Sequence, residues 1–203
     1  MTAPRVRLHG YAISTWTRTA HMTCIEKGIE HELVPVPYGT AEHGELHPFR
    51  RIPILEIDGT MIFESLAITG HLDEAFPGPA LQPDSHAARI RMRMWMSLCS
   101  DYFFRDVVRA IPRDRPPSAE ELATARAVLE RAEGLVGSEP FLAGDALTLA
   151  DLYLAPQLAN CEDKAPELLE GLDALVTWGR RMSERESFQR TRPPARSPSR
   201  PRS

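Results

Sequence analysis

Two short stretches place hydroxyl groups where helices are expected to begin. Ser14-Thr15 opens a segment running to Lys27, with Gly28 in the usual stop position. Glu64-Ser65 follows an expected strand and opens a second helix that runs to about Phe76. A helix start presents unpaired N–H groups and positive potential, so either place can steady an anion. As bare motifs, both read as ordinary caps. Tyr11 adds a phenol close to the first. His43-Gly44-Glu45-Leu46-His47 sets two histidines four apart. Gly44 and Pro48 argue against a stable helix there and no third ligand is evident, so no metal site is expected. Cys24, Cys99 and Cys161 form an odd, widely spaced set without CxxC, which reads as small buried hydrophobes in a reducing compartment. Thr148-Leu149-Ala150-Asp151 is a capping box, with Thr148 covering helix N–H groups and Asp151 reaching back, and its role is structural.

The elements that would position these groups follow from periodicity. Val6 and Leu8 alternate with charged neighbours and end at Gly10, which suits a short strand; Leu33, Val34 and Val36 form a second, broken by Pro35 and Pro37. Tyr38 to Arg51 is polar and reads as a loop with one helical turn. Ile54 to Ile57 and Met61 to Phe63 are strands joined across Asp58-Gly59, a hairpin signal. The order βαβ, loop, ββ, α implies a small mixed sheet. Pro77-Gly78-Pro79 and Pro83 punctuate a linker, after which no strand pattern survives. Asp84 to Ala110 is a long helical stretch with Met92, Met96, Cys99 and Phe103 on one side. Ser118 to Val136 carries Leu122, Ala125, Leu129 and Ala132 on one stripe; Thr148 to about Cys161 and Glu167 to Phe188 are further helical segments. From Arg190 the chain turns to Pro, Arg and Ser, a composition that cannot build a core and is expected to be disordered.

The bulk numbers narrow the classes. The 203 residues, 42% apolar and 26% charged, are those of an ordinary globular chain of one large or two small domains. The formal charge of −4 offers nothing to a nucleic-acid backbone. No apolar run approaches the length of a membrane span and Met1 to Arg7 is not a signal peptide, so the expected address is cytoplasmic.

The segments LHGYAISTWTRTA, EKGIEHELVPV, TAEH and HPFRRIPILEIDGTMIFESLAIT resemble, in order and spacing, the N-terminal domain of the glutathione S-transferase family, its serine-type classes and the phi class in particular. PFLAGDALTLADLYLAP is similar to the stretch that opens the buried core helix of the same fold. The resemblance implies an α/β plus all-α architecture: a thioredoxin-like βαβ-ββα glutathione-binding domain over 1–78, an all-helical substrate-pocket domain over 84–190, and a tail over 191–203. It implies that glutathione supplies the nucleophilic sulfur, since Ser14-Thr15-Trp16-Thr17 stands where redox relatives of the fold carry CxxC. Ser14 is then the group that donates a hydrogen bond to the thiolate, with Thr15 or Tyr11 as substitutes. A free thiol has a pKa of about 8.5, and lowering it by about two units takes roughly 2.7 kcal/mol. Glutathione itself falls to His43, Arg51, Ile52, Pro53, Glu64 and Ser65, with Ile52-Pro53 expected to be cis although only about 5–6% of such bonds are. Gly44 stands where related sequences commonly carry Lys, and Arg51 replaces the usual Gln. Tyr11, Ile13, Trp16, Met96, Cys99, Phe103 and Phe104 are candidates for the wall facing a small hydrophobic electrophile, the Met–aromatic stripe reading equally well as interdomain core. Arg105 and Arg109 are candidates for an anionic substrate. Phe49 lies in the position of an aromatic key between subunits, which implies a homodimer. No metal, nucleic acid or membrane is expected as a partner. The alternatives are a glutathione-dependent isomerase, dehalogenase or etherase, a catalytically silent ligand-binding relative, and a glutaredoxin-like redox protein, which the absent cysteine at position 14 disfavours.

Overall fold

The computed structural model describes residues 4–112 and 115–194; of the expected tail, 195–203 lie outside the described residues. Four strands, β1 (Val6–His9), β2 (Glu32–Val34), β3 (Ile54–Ile57) and β4 (Thr60–Phe63), form one sheet in the order β2-β1-β3-β4. β1 runs parallel to β2 and antiparallel to β3, and β3 and β4 make the hairpin. Asp58 (φ 49°) and Gly59 (φ 87°) both adopt the left-handed conformation that a tight hairpin turn of this hand requires.

Helix α1 (Thr15–Glu26) crosses from β1 to β2 and carries few charges because both of its faces are covered. Ala20 and Cys24 join Val6, Leu8, Leu55, Ile68 and Leu72 in the core under the sheet, while Met22 belongs to the larger helical core. Helix α2 (Ala41–Leu46) is the helical turn of the polar loop, capped by Thr40 Oγ1, which accepts from His43 N–H at 3.3 Å. Helix α3 (Ser65–Ala75) packs beside α1, and the buried Lys27–Asp73 pair (3.1 Å) ties the end of α1 to it. Lys27 Nζ also donates to the carbonyls of Asp73 and Pro79, so its buried charge is fully hydrogen-bonded.

Past the linker, α4 (His86–Leu98) continues without a break into a π-helical segment, Cys99–Val108, followed by α5 (Ala119–Glu133) and α6 (Leu149–Lys164). Glu167 to Phe188 divides into part of a 3₁₀ turn (Pro166–Leu169), α7 (Asp173–Ser183) and most of α8 (Glu186–Arg190), with Gly171 at φ +72° making the first break. At the head of α6 the expected capping box is present, Thr148 covering the helix N–H of Asp151 and Asp151 reaching back; the Thr148 hydroxyl also donates to Asp151 Oδ2 (3.0 Å). That buried carboxylate also accepts from the N–H groups of Leu142 and Thr148 and from Trp178 Nε1, at 2.9, 2.9 and 3.0 Å. Burial pushes its pKa above the usual carboxylate range against the pull of these four donors.

The two cores are joined through α1. Thr19 Oγ1 donates to the carbonyl of Leu152 in α6 at 3.1 Å. Near the end of α1, Glu26 takes both forks of Arg185 (2.8 and 2.7 Å) and the Ser187 hydroxyl. Burial works to raise the Glu26 carboxyl, but these donors hold it below the usual range.

Candidate active site

A cleft of about 870 Å³ opens between the sheet half and the helical half, where the starts of α1 and α3 meet the π-helical segment. Gly10 ends β1 and leads into the loop before α1. A Cβ built there would stand 2.5 Å from Thr17 Oγ1, so glycine is what lets this loop lie against the helix. Ser14 caps α1: its Oγ accepts from Thr17 N–H at 3.3 Å while the side chain lines the cleft. The cap uses an oxygen lone pair, so the hydroxyl proton remains to be donated. The neighbouring hydroxyls differ. Tyr11 lines the cleft but spends its phenolic proton on the carbonyl of Val36. Thr15 is buried, its Oγ1 shielded from solvent.

On the opposite rim, Arg51, Ile52, Pro53, Glu64 and Ser65 line the same cleft. The Ile52-Pro53 bond is cis, and Ile52 lies two residues before Ile54, the first ladder residue of β3. Glu64 sits at φ +72°, a left-handed turn that directs the chain into α3 with Ser65 as its first residue. The open amide end of α3 and that of α1 thus face one space. His47, a residue the sequence patterns did not single out as a ligand, also lines the cleft: Nδ1 accepts from Phe49 N–H (3.1 Å) and Nε2 lies 3.9 Å from Glu64 Oε1. Burial lowers its pKa, outweighing the opposing pull of Glu64.

His43 departs from expectation. Its side chain is fully buried, Nδ1 accepting from Gly39 N–H (3.3 Å) and Nε2 donating to the carbonyl of Arg51 (3.1 Å). With both nitrogens committed to backbone, it has no group left for a ligand; it fixes the loop that presents Arg51 and Ile52. Phe49 is 73% exposed on that loop.

The far wall is built from Ile13, Trp16, Phe104 and Tyr153, with Ser100, Val108 and Arg109. Trp16 packs against Phe104 (5.3 Å between centroids) and edge-on to Tyr153 (5.5 Å). Tyr153 shares a hydrogen bond with Thr69 Oγ1 (3.2 Å), and burial raises its pKa, keeping the phenol neutral. Met96, Cys99 and Phe103 do not reach this wall: all three are buried in the helical core. The Met–aromatic stripe is core, and the cleft-facing residues of the same segment are offset by one position, at Ser100 and Phe104. Arg105 also points elsewhere, paired bidentately with Asp106 at 2.7 Å. All three cysteines are buried, and burial pushes the thiols of Cys24 and Cys161 up to about 12 and that of Cys99 well above the ordinary value. None is therefore a thiolate near neutral pH, and a nucleophilic sulfur in this cleft has to arrive on a ligand.

Comparison with known proteins bears on what that ligand is. Residues 8–80 match the family model described as glutathione S-transferase, N-terminal domain, and residues 95–186 that described as glutathione S-transferase, C-terminal domain. The chain is 30% identical to glutathione S-transferase F14 of Arabidopsis thaliana, over 94% of this chain and 84% of that protein. It is 29% identical to maleylacetoacetate isomerase of Rattus norvegicus, over 80% and 81%. Among solved structures, it superposes on rice GST1 in complex with glutathione with a TM-score of 0.82, 25% identity and coverage of 95% and 92%. No described helix is long and apolar enough to cross a membrane.

Proposed function

The chain belongs to the glutathione S-transferase family, and on that footing we propose that it is a glutathione transferase that binds glutathione in the cleft, holds its thiol as thiolate and transfers it to a small electrophile. The observation that carries this is the convergence of the Ser14 hydroxyl, the Glu64-Ser65 helix start and the Ile52-Pro53 backbone on one cleft in a protein whose own thiols are buried. Ser14 donates its free proton to the sulfur, and the open end of α1 adds positive potential; both favour the anion. Ser65 and the amides of α3 take the γ-glutamyl carboxylate, Glu64 meets its ammonium, and the backbone of Ile52 pairs with the cysteinyl unit. Arg51 supplies the cation for the glycyl carboxylate, the part for which His43 has no free nitrogen. These assignments make it a serine-type, phi-like enzyme with a glutathione-binding domain over 1–78 and a substrate-pocket domain over 84–190.

Trp16, Phe104 and Ile13 offer the electrophile's body an aromatic and aliphatic wall. The exposed Phe49 suits a homodimer, and a cytoplasmic, detoxifying role fits the reduced, buried cysteines. The likeness to maleylacetoacetate isomerase supports a second chemistry, glutathione-dependent isomerisation, with the same thiolate adding and then leaving. Calorimetry with glutathione on the purified protein tests the reading: binding at about millimolar or tighter is expected. No detectable heat of binding would point instead to a silent relative.

A further inference from the structure

Arg109 reaches the cleft because of the π-helix. Its backbone N–H bonds the carbonyl of Phe104 at 3.0 Å, an i→i+5 link, so it lies one wide turn along the chain from Phe104. In an α-helix, about 100° per residue would carry the nine steps from Ser100 through two and a half turns and leave Arg109 on the opposite side. The i→i+5 turn is about one residue longer, so nine steps make close to two turns and align Ser100, Phe104 and Arg109 on the cleft face.

Among the described residues the Arg109 charge has no partner. Arg105 is locked to Asp106, yet no described carboxylate lies within 4.0 Å of the Arg109 guanidinium. Ser100 donates its proton to the carbonyl of Met96, and Tyr153 shares its hydroxyl with Thr69. Among the described residues of this wall, Arg109 is therefore the one cation, set beside Trp16, Phe104 and Val108. A planar guanidinium in a cleft that also holds apolar rings suits a carboxylate, bound bidentately, on a molecule whose body is hydrophobic.

We propose that Arg109 is a specificity-determining residue that anchors the carboxylate of the electrophile, and that the favoured substrates are aryl or alkyl α,β-unsaturated ketones that also carry a carboxylate; this rests on the transferase reading above. The thiolate forms the new C–S bond at the alkene carbon β to the ketone, the π pair of the C=C bond moves through the other alkene carbon onto the ketone oxygen, and a solvent proton adds at that carbon as the ketone re-forms; nothing leaves.

The test compares a 4-oxo-2-alkenoic acid with its methyl ester as substrates of wild type, Arg109→Gln and Arg109→Lys, with calorimetry of the saturated, unreactive acid beside it. The wild type is expected to favour the acid. Arg109→Gln should raise KM for the acid about ten- to hundred-fold, far more than for the ester, and Arg109→Lys should recover part of the loss. Binding of the saturated acid should weaken by a similar factor. Equal effects on acid and ester, or undiminished binding of the saturated acid to Arg109→Gln, would overturn the proposal. Failure of the transferase reading shows separately, as no turnover of the ester by wild type, and the calorimetric arm then still decides whether Arg109 binds the carboxylate.

Discussion

A serine that caps a helix and a serine that steadies a thiolate use different parts of the same hydroxyl. Ser14 accepts from Thr17 N–H with a lone pair and keeps its proton, so the two roles coexist. They separate in Ser14→Asp, because aspartate caps a helix as well as serine does but places a negative charge beside the sulfur. Thermal stability within about 1 kcal/mol of wild type, with turnover slowed ten-fold or more, is expected in a conjugation assay; retained turnover would remove Ser14 from the chemistry. Residues whose roles depend on where an element starts were legible in the sequence. Ser14, Glu64, Ser65 and the Ile52-Pro53 pair all sit at such boundaries, and all line the cleft. Where a side chain points is set by what packs around it. His43 has the type of a ligand, but the loop folds over it and turns both nitrogens to backbone. His47, four residues on, is the one that lines the cleft, and nothing in the local pattern separates the two.

Strands, hairpin and most helices follow from period and punctuation, and the structure keeps them. The π-helical segment does not announce itself through composition, yet its spacing carries a signal. Cys99, Phe103, Val107 and Ile111 are all buried and fall strictly four apart. Four steps overshoot an α-helical turn by about 40° and fall short of an i→i+5 turn, so a stripe of exact fours marks a segment wound more loosely than an α-helix, with Ser100 and Phe104, one position on, lining the cleft. The stripe of Met96, Cys99 and Phe103 reads from sequence equally well as pocket wall or as core, and in the structure it is core. The head of α6 shows the reverse case, in which a local motif gains value from distant contacts. Asp151 satisfies Trp178 and Leu142 as well as its own helix start. Asp151→Ala would strand these buried donors, a loss of about 3 kcal/mol or more. In a chain of this size that corresponds to a fall in Tm of roughly 6–12 °C by scanning calorimetry, and an unchanged Tm would mean the network contributes nothing.

At the level of the molecule, α1 belongs to both cores: one face completes the sheet half, the other carries Met22 into the helical half, and its open end faces the cleft between them. Thr19 and the Glu26–Arg185–Ser187 cluster hold the two halves in register along that helix. The chemistry therefore depends on tertiary placement, with the anion-binding ends of α1 and α3 on one side and the Trp16–Phe104 wall with Arg109 on the other. Its most direct test is a spectroscopic pH titration of the thiolate of glutathione bound to the wild-type protein, with free glutathione as reference. A midpoint about two units below the ordinary thiol value near 8.5 is predicted, leaving most of the bound sulfur ionised at neutral pH. A bound thiol that titrates where the free one does would contradict the account.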